Sequence, residues 1–277
     1  CSENLKAMLA QPPASWFPSQ RLIMPELPEV ETTRRGIAPH IEGQRIHAVR
    51  ARVVKLRQTL DSAALDRLAG CVIDHVARRG KHLILHSDDP HRALHIHLGM
   101  SGALRIMYDN VENGQELRLH DPRRFGHVAV IDPLQPPPAL AALGVEPLDD
   151  TFNGARLYAQ TRGKTAAIKT HIMDQRHIVG VGNIYATEAL YASGIHPARR
   201  ATRLDEAECA TLAAAIKHVL QEAIAQGGTT LRDFSQPDGT SGYFAVKLAV
   251  YGKSGEPCPR CGTPLAHVTI GGRSSVY

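Results

Sequence analysis

Met24-Pro25-Glu26-Leu27-Pro28-Glu29-Val30-Glu31 is the stretch on which the reading of this chain turns. Proline and acids in a first turn, with Arg34 and Arg35 ahead of Gly36, predict a short helix over residues 28–38 that ends about Gly36. A capped helix start alone would account for two prolines and three acids. A sharper reading begins at Met24, because an initiator methionine before a small residue is normally removed, which would leave Pro25 with a free secondary amine. An α-amino group has a pKa of about 7.7–8.0, so a useful fraction is neutral and nucleophilic near neutral pH. Its attack on a sugar C1′ would displace the base and give an iminium ion. That electron sink acidifies the neighbouring sugar protons and enables strand-cleaving elimination, with Glu26 suited to protonate the ring oxygen.

Working outward, 277 residues suffice for one large domain or two to three small ones. Charged residues at 21 % beside 43 % hydrophobic exclude a disordered or fibrous chain, and no run approaches the ~20 apolar residues of a membrane span. A formal charge of +5 points to a polyanion partner, nucleic acid first. Five cysteines, only Cys258 and Cys261 of them close together, do not make a secreted disulfide framework, and residues 1–23 lack the apolar core of a signal peptide. The expectation is a soluble cytosolic protein.

Short β-like runs at 45–54, 72–76, 82–85, 93–98 and 128–131, separated by Gly, Asp and Pro, predict an antiparallel sandwich or barrel. Three consecutive prolines, Pro136 to Pro138, cannot continue a sheet and place a domain boundary between about 133 and 152. Beyond it the period is helical: Asp205-Glu-Ala-Glu208 resembles a capping box, and Leu212, Ile216, Val219, Leu220, Ala223 and Ile224 form one apolar stripe before Gly227. No internal repeat is visible.

Several segments carry possible chemistry, each with a plainer reading beside it. Lys81, after Gly80 in a β-turn, reads alone as a solvated charge. Met100 in His97-Leu-Gly-Met-Ser-Gly102 and Phe125 in Asp121-Pro-Arg-Arg-Phe-Gly126 read alone as core residues at strand ends. His86, His91, His95 and His97 invite a metal reading, yet no carboxylate follows at a helix-type zinc spacing, so metal ligation is not expected. Lys164-Thr-Ala-Ala-Ile-Lys169 begins a helix, and the segment 179–186 leads into another that ends near Gly194. Gly180-Val181-Gly182 is no dinucleotide fingerprint, since Tyr185 stands where a third glycine belongs. It predicts a tight turn presenting backbone donors at a helix N-terminus, a natural phosphate site. Cys258-Pro-Arg-Cys261 is either a redox pair or half a zinc site, and the following glycine favours zinc.

Together, and in this order over residues 24–277, these segments closely resemble the bacterial formamidopyrimidine-DNA glycosylase family, base-excision enzymes for oxidised purines that also cleave abasic sites. The resemblance implies an α+β multi-domain fold. Residues 1–24 would be an extension outside the mature enzyme, 25–140 an N-terminal β-sandwich with a leading helix, 141–250 a helical helix-two-turn-helix domain, and 251–277 a β-hairpin zinc finger, incomplete here. It implies Pro25 as nucleophile, Glu26 as proton donor, Lys81 as donor in β-elimination and Arg273 in δ-elimination. Met100, Arg123 and Phe125 would fill the void left by an everted nucleotide, which costs a few kcal/mol of unstacking. Asn183, Lys164 and Lys169 would contact phosphates. The stretches 227–234 and 238–244 resemble the loop that closes over the everted base. The expected partner is double-stranded DNA with oxidised bases or abasic sites, bound by a monomer in the bacterial cytosol, with one structural zinc held by Cys258 and Cys261.

Three departures from the family pattern stand out. Pro25 lies within a peptide bond, where resonance removes the lone pair, so a chain retaining residues 1–23 should lack Schiff-base chemistry. The family finger has two Cys pairs separated by 16 residues, whereas only 16 residues follow Cys261, so zinc should be held weakly and Arg273 placed poorly. The segment 104–114 is shorter than its family counterpart and lacks a His-containing insertion. Two alternatives remain open: the related oxidised-pyrimidine glycosylase, against which Leu27 argues, and a non-catalytic damaged-DNA-binding protein if the extension is retained.

Overall fold

The computed structural model describes residues 25–109, 114–227 and 248–277. Helix α1 (Leu27–Ile41) runs past Gly36 and even past Pro39. A mid-helix glycine costs about 1 kcal/mol, whereas Ile37, Ala38 and Ile41 beyond it are all buried, so packing outweighs propensity. The last turn closes with the Glu42 N–H donating to the Ala38 carbonyl at 3.0 Å.

Strands β1 (Ile73–Arg79), β2 (His82–Ser87), β3 (Ala93–His97) and β6 (His127–Ile131) form an antiparallel sheet in the order β1-β2-β3-β6. β4 (Ala103–Asp109) and β5 (Gly114–His120) pair antiparallel as a separate ribbon, and the described part of the short segment expected at 104–114 lies in these two strands. Alternation turns Leu83 and Leu85 of β2 inward, where they meet Val30, Ile37 and Ile41 of α1, Ile96 of β3 and Leu104 of β4. The leading helix therefore shares one core with both the sheet and the ribbon. The run 45–54 is not a strand: Arg45 makes one isolated bridge to Val72, and most of the run is exposed. With neither face buried, no packing holds a ladder there.

Past α2 (Ser62–Asp66) and α3 (Pro138–Ala141), helices α4 (Gly154–Thr161), α5 (Ile168–Met173), α6 (Asn183–Ser193) and α7 (Glu206–Ala225) surround the largest core. The Asp205/Glu208 capping box starts α7 as expected, and Leu212, Ile216, Leu220 and Ala223 face inward. Gly154 lets α4 cross α7 closely, since a Cβ there would lie 2.4 Å from the Ala210 Cα. Leu27 belongs to this helical core although its neighbour Val30 belongs to the sheet core, so α1 joins the two halves. β7 (His267–Ile270) and β8 (Arg273–Val276) form a hairpin around Gly271 and Gly272, seated on Val250 and Leu265. Among the described residues no helix is long and apolar enough to cross a membrane.

Candidate active site

Glu26 is 1 % exposed and immediately precedes α1. Its own N–H donates to Glu29 Oε2 at 2.9 Å, which leaves its side chain free to reach across the molecule. There its Oε2 accepts from the Gly182 N–H at 2.7 Å and the Tyr185 N–H at 3.4 Å, and its Oε1 from the Ile184 N–H at 2.9 Å. The Gly180 N–H goes to Gln175 Oε1 at 2.7 Å, and the Gly182, Ile184 and Tyr185 donors, where a phosphate cradle is expected, are thus taken by an internal carboxylate. They are the orphan amides of the α6 N-terminus, and any anion that reaches them is stabilised. Both glycines are required by this approach: a Cβ on Gly182 would lie 2.3 Å from Glu26 Cδ, and one on Gly180, at φ +81°, 2.6 Å from Leu27 Cβ. Tyr185 completes the floor by donating its hydroxyl to Glu29 Oε1 at 2.6 Å.

Burial raises the Glu26 carboxyl pKa, and the nearby Glu29 charge adds to the rise, while Lys81 and the α6 amides oppose it. Lys81 sits on the two-residue turn between β1 and β2. Burial lowers its ammonium pKa, the charges of Glu26 and Glu29 oppose that, and Arg273 reinforces it. Pro25, part-exposed beside Glu26, Lys81 and the exposed Arg273 are therefore brought to one place from three parts of the chain.

Lys169 is not where the sequence suggested. It is 1 % exposed, and its three ammonium protons go to Thr187 Oγ1 at 2.9 Å, the Ser274 carbonyl at 2.8 Å and Ser275 Oγ at 2.7 Å. With every donor used, it ties α5 and α6 to β8 rather than facing a phosphate, and burial pushes its pKa down to about 8. The same bonds fix the β8 backbone at the two residues after Arg273, whose own side chain is exposed. Lys164 is exposed but precedes α5, which starts at Ile168. The backbone between them pairs instead with 200–202, the Thr202 N–H donating to the Lys164 carbonyl at 2.9 Å and the Ala201 N–H to that of Ala166 at 2.9 Å. Asn183 opens α6, and its Oδ1 is buried with no hydrogen-bond partner among the described residues.

Met100, Arg123 and Phe125 come together on two adjacent loops. Asp121 staples them, accepting from Ser101 Oγ at 2.8 Å and from the Gly126 N–H at 2.7 Å. Gly99, at φ +67°, has no room for a Cβ, which would lie 2.4 Å from the Phe125 carbonyl carbon. Arg124 is the one described non-glycine residue at positive φ, 57°, and this turns Arg123 and Phe125 outward. Phe125 is 45 % exposed under the Arg123 guanidinium, 5.3 Å from its ring centre, so it is not a core residue.

With this geometry in view, family models match the formamidopyrimidine-DNA glycosylase N-terminal domain over residues 24–128, its H2TH domain over 143–235, and the zinc finger found in FPG and IleRS over 255–277. A formamidopyrimidine-DNA glycosylase of Stenotrophomonas maltophilia is 48 % identical over 266 residues, covering 92 % of this chain and 98 % of the relative. One from Geobacter sulfurreducens is 49 % identical over 268 residues with the same coverage. The chain belongs to the formamidopyrimidine-DNA glycosylase family. Its members are bifunctional enzymes of DNA base-excision repair. Among solved structures, the MutM (Fpg) protein of Thermus thermophilus superposes with a TM-score of 0.78 at 37 % identity, covering 91 % of this chain and 97 % of that one. Lactococcus lactis Fpg bound to abasic-site DNA gives 0.81 at 32 % with the same coverage.

The finger region can be tested against the family's zinc. Cys258 Sγ lies 3.4 Å from the Tyr191 hydroxyl and accepts from the Arg260 N–H at 3.4 Å, and these bonds lower its thiol to about 7. The Gly262 N–H donates back to the Cys258 carbonyl at 2.8 Å, closing a knuckle whose thiolates suit zinc. Among the described residues no group of three or more His, Cys, Asp or Glu is arranged to hold a metal ion, so Cys258 and Cys261 supply half of a tetrahedral set. The base-covering loop expected at 227–244 lies, beyond Gly227, outside the described residues.

Sequence reading missed three groups. Glu188 accepts from the N–H groups of Ala249, Val250 and Tyr251 at 2.7–2.9 Å and anchors the finger to α6. Glu146 clamps the Lys81 turn. His82, His95, His97 and His127 share one face of the sheet, with His82 Nδ1 2.8 Å from His95 Nε2. Only the His95/His97 alternation hinted at the last, because the strand register that completes the row is not local information.

Proposed function

We propose that this enzyme excises oxidised purines, 8-oxoguanine and formamidopyrimidines, from duplex DNA and cuts the strand by β,δ-elimination, acting as a monomer in the bacterial cytosol. The Pro25 amine bonds to C1′ as the glycosidic bond breaks; the bond's electron pair leaves with the base, which takes up the proton lost from the Pro25 nitrogen and so frees the nitrogen lone pair. Glu26 protonates the ring oxygen, the sugar opens, and the nitrogen lone pair makes a cationic Schiff base. Loss of a C2′ proton then expels the 3′ phosphate with Lys81 as proton donor, and a second elimination, assisted by Arg273, expels the 5′ phosphate. Met100, Arg123 and Phe125 occupy the vacated stack, and Lys164 and Asn183 hold phosphates. Cys258 and Cys261 would hold a zinc ion that braces the finger and takes no part in the chemistry.

The observation that carries this reading is the Glu26 carboxyl. It is next to Pro25 in the chain, buried so that its protonated form is favoured, and faced by three amides that receive the anion once its proton is given. We also propose a division into 25–140, 141–250 and 251–277, in line with the three matched family segments, with residues 1–24 outside the catalytic unit. While residue 24 is attached, the Pro25 nitrogen is an amide and the chain binds damaged DNA without cutting it.

Borohydride trapping tests both points. On 8-oxoguanine and thymine-glycol duplexes, the chain beginning at Pro25 should crosslink and prefer the purine lesion, whereas the chain beginning at Cys1 should not crosslink. Crosslinking by the longer form would overturn the free-amine mechanism, and preference for thymine glycol would reverse the substrate assignment. Pro25→Gly and Glu26→Gln should each abolish base excision, a loss on the order of 10²–10⁴-fold for removal of a proton donor.

A further inference from the structure

Gly80 and Lys81 form the whole loop between β1 and β2, with Arg79 paired to His82 on either side. Gly80 is at φ +56° and Lys81 is not in the left-handed region, the pattern of a tight two-residue hairpin turn. Such a turn at the tip of a hairpin is ordinarily solvated and yielding. Here both polar groups of Gly80 are held. Its N–H donates to Glu146 Oε1 at 2.6 Å, and its carbonyl accepts from Arg78 Nη1 at 3.0 Å. The same Glu146 carboxylate takes Arg79 Nη1 on Oε1 and Arg78 Nη1 on Oε2, each at 2.9 Å. Arg78 continues to Glu31 of α1 at 3.1 Å, and Arg79 to the Leu143 carbonyl at 3.0 Å.

Glu146 is itself rooted in the helical half. The Gly144 N–H donates to the Gln175 carbonyl at 2.8 Å, the Val145 N–H to that of His177 at 3.1 Å, and the Val179 N–H to the Val145 carbonyl at 3.0 Å. The next residue, Gly180, accepts from the Leu27 N–H at 3.1 Å, and Gly182 donates to Glu26. A Cβ on Gly80 would lie 3.0 Å from Val179 Cβ, so the turn rests on this same strip. One short run, 179–182, is therefore bonded to Glu26 at one end and, through Val145 and Glu146, to the Lys81 turn at the other. The separation of the two groups is set by this strip rather than by the sheet that carries the lysine.

We infer that Glu146 is a positioning residue for Lys81, fixing the β1–β2 turn against the helical half so that the lysine faces Glu26 and the reacting sugar. This rests on the role proposed above for Lys81. A single carboxylate serves because it alone accepts one backbone and two guanidinium donors at once; an amide in its place offers one acceptor atom, and a shorter carboxylate cannot span from residue 146 to all three.

The test uses the chain beginning at Pro25, since curated relatives match 92 % of this chain over 98 % of their own length. Single-turnover cleavage of a preformed abasic-site duplex should slow at least tenfold in Glu146→Gln and in Glu146→Asp, while the Kd for the same duplex stays within threefold and the pH–rate profile of elimination shifts. Glu31→Gln, which takes a partner from Arg78 but leaves the Gly80 acceptor in place, should stay within threefold of the parent. Cleavage by both Glu146 variants within threefold of the parent, or a loss matched by an equal rise in Kd, would overturn the inference. Lys81→Ala separates the two claims: if it cleaves normally the role of Lys81 is wrong, and if it is slow while the Glu146 variants are fast only the positioning is wrong.

Discussion

Under the proposed function the floor around Glu26 and the loops bearing Met100, Arg123 and Phe125 serve the same DNA substrate, yet they are built on opposite terms. In the floor the side chains are enclosed and their polar atoms are matched one to one: Glu26 to three amides, Glu29 to Tyr185 and to the Glu26 N–H. In the loops it is the backbone that is fixed, by Asp121 and the Gly99 contact, while Arg123 and Phe125 stand in solvent and Met100 is part-exposed. Proton transfer needs a donor held to a fraction of an ångström with a tuned pKa, which calls for enclosure. Filling a gap in stacked bases needs an apolar side chain that is available before DNA arrives, which calls for exposure over a stiff base.

That contrast is most exposed to attack at Gly182. Gly182→Ala should force the Glu26 carboxylate off its amides, lowering stability by about 1–3 kcal/mol, as overpacking does, and cutting base excision on the order of 100-fold. Urea unfolding and single-turnover excision read the two effects, and an alanine variant that matches the parent in both would mean the floor is not tight. Phe125→Ala should behave in the opposite way, with stability within about 0.5 kcal/mol of the parent, as for other exposed positions, and excision from duplex down roughly tenfold. A loss of stability as large as that of Gly182→Ala would erase the distinction. The smallest effect is one of pH. Burial holds His82 down to about 3 and His95 and His97 to about 4, so the folded state keeps them neutral while the unfolded chain binds protons below about 6.5. Stability is therefore full above that value and falls as the pH drops toward 4. The melting temperature should decline by several kelvin between pH 7 and pH 5, and His95→Leu should flatten the decline.

What the chain shows of itself in one dimension follows the range of the interactions involved. The start of α1, the β1–β2 turn, the α7 capping box and the Cys258 knuckle rest on residues within four or five positions of each other, and these were legible. The length of α1 was not, because Ile37 and Ile41 are rewarded by a sheet that forms later in the chain. The start of α5 is hidden because 164–167 pair with 200–202, and so is the setting of Lys169, because nothing near it in sequence announces Thr187, Ser274 and Ser275. Glu146 looks like any linker carboxylate until Arg78, Arg79 and Gly80 are folded against it. The candidate site divides in the same way: the groups proposed to react stand in local motifs, while the groups that hold them lie far off in the chain and are visible only in space.

The carboxylate of Glu26 has one more consequence, an evolutionary one. Because it caps α6 from across the molecule, it joins the two halves of the fold besides serving the chemistry proposed for it. A descendant that lost its reactive amine and survived only by recognising damaged DNA would still need that carboxylate to fold. The presence of this glutamate in a distant relative is thus a weak sign of enzymatic activity, and the state of the residue just before it is the stronger one.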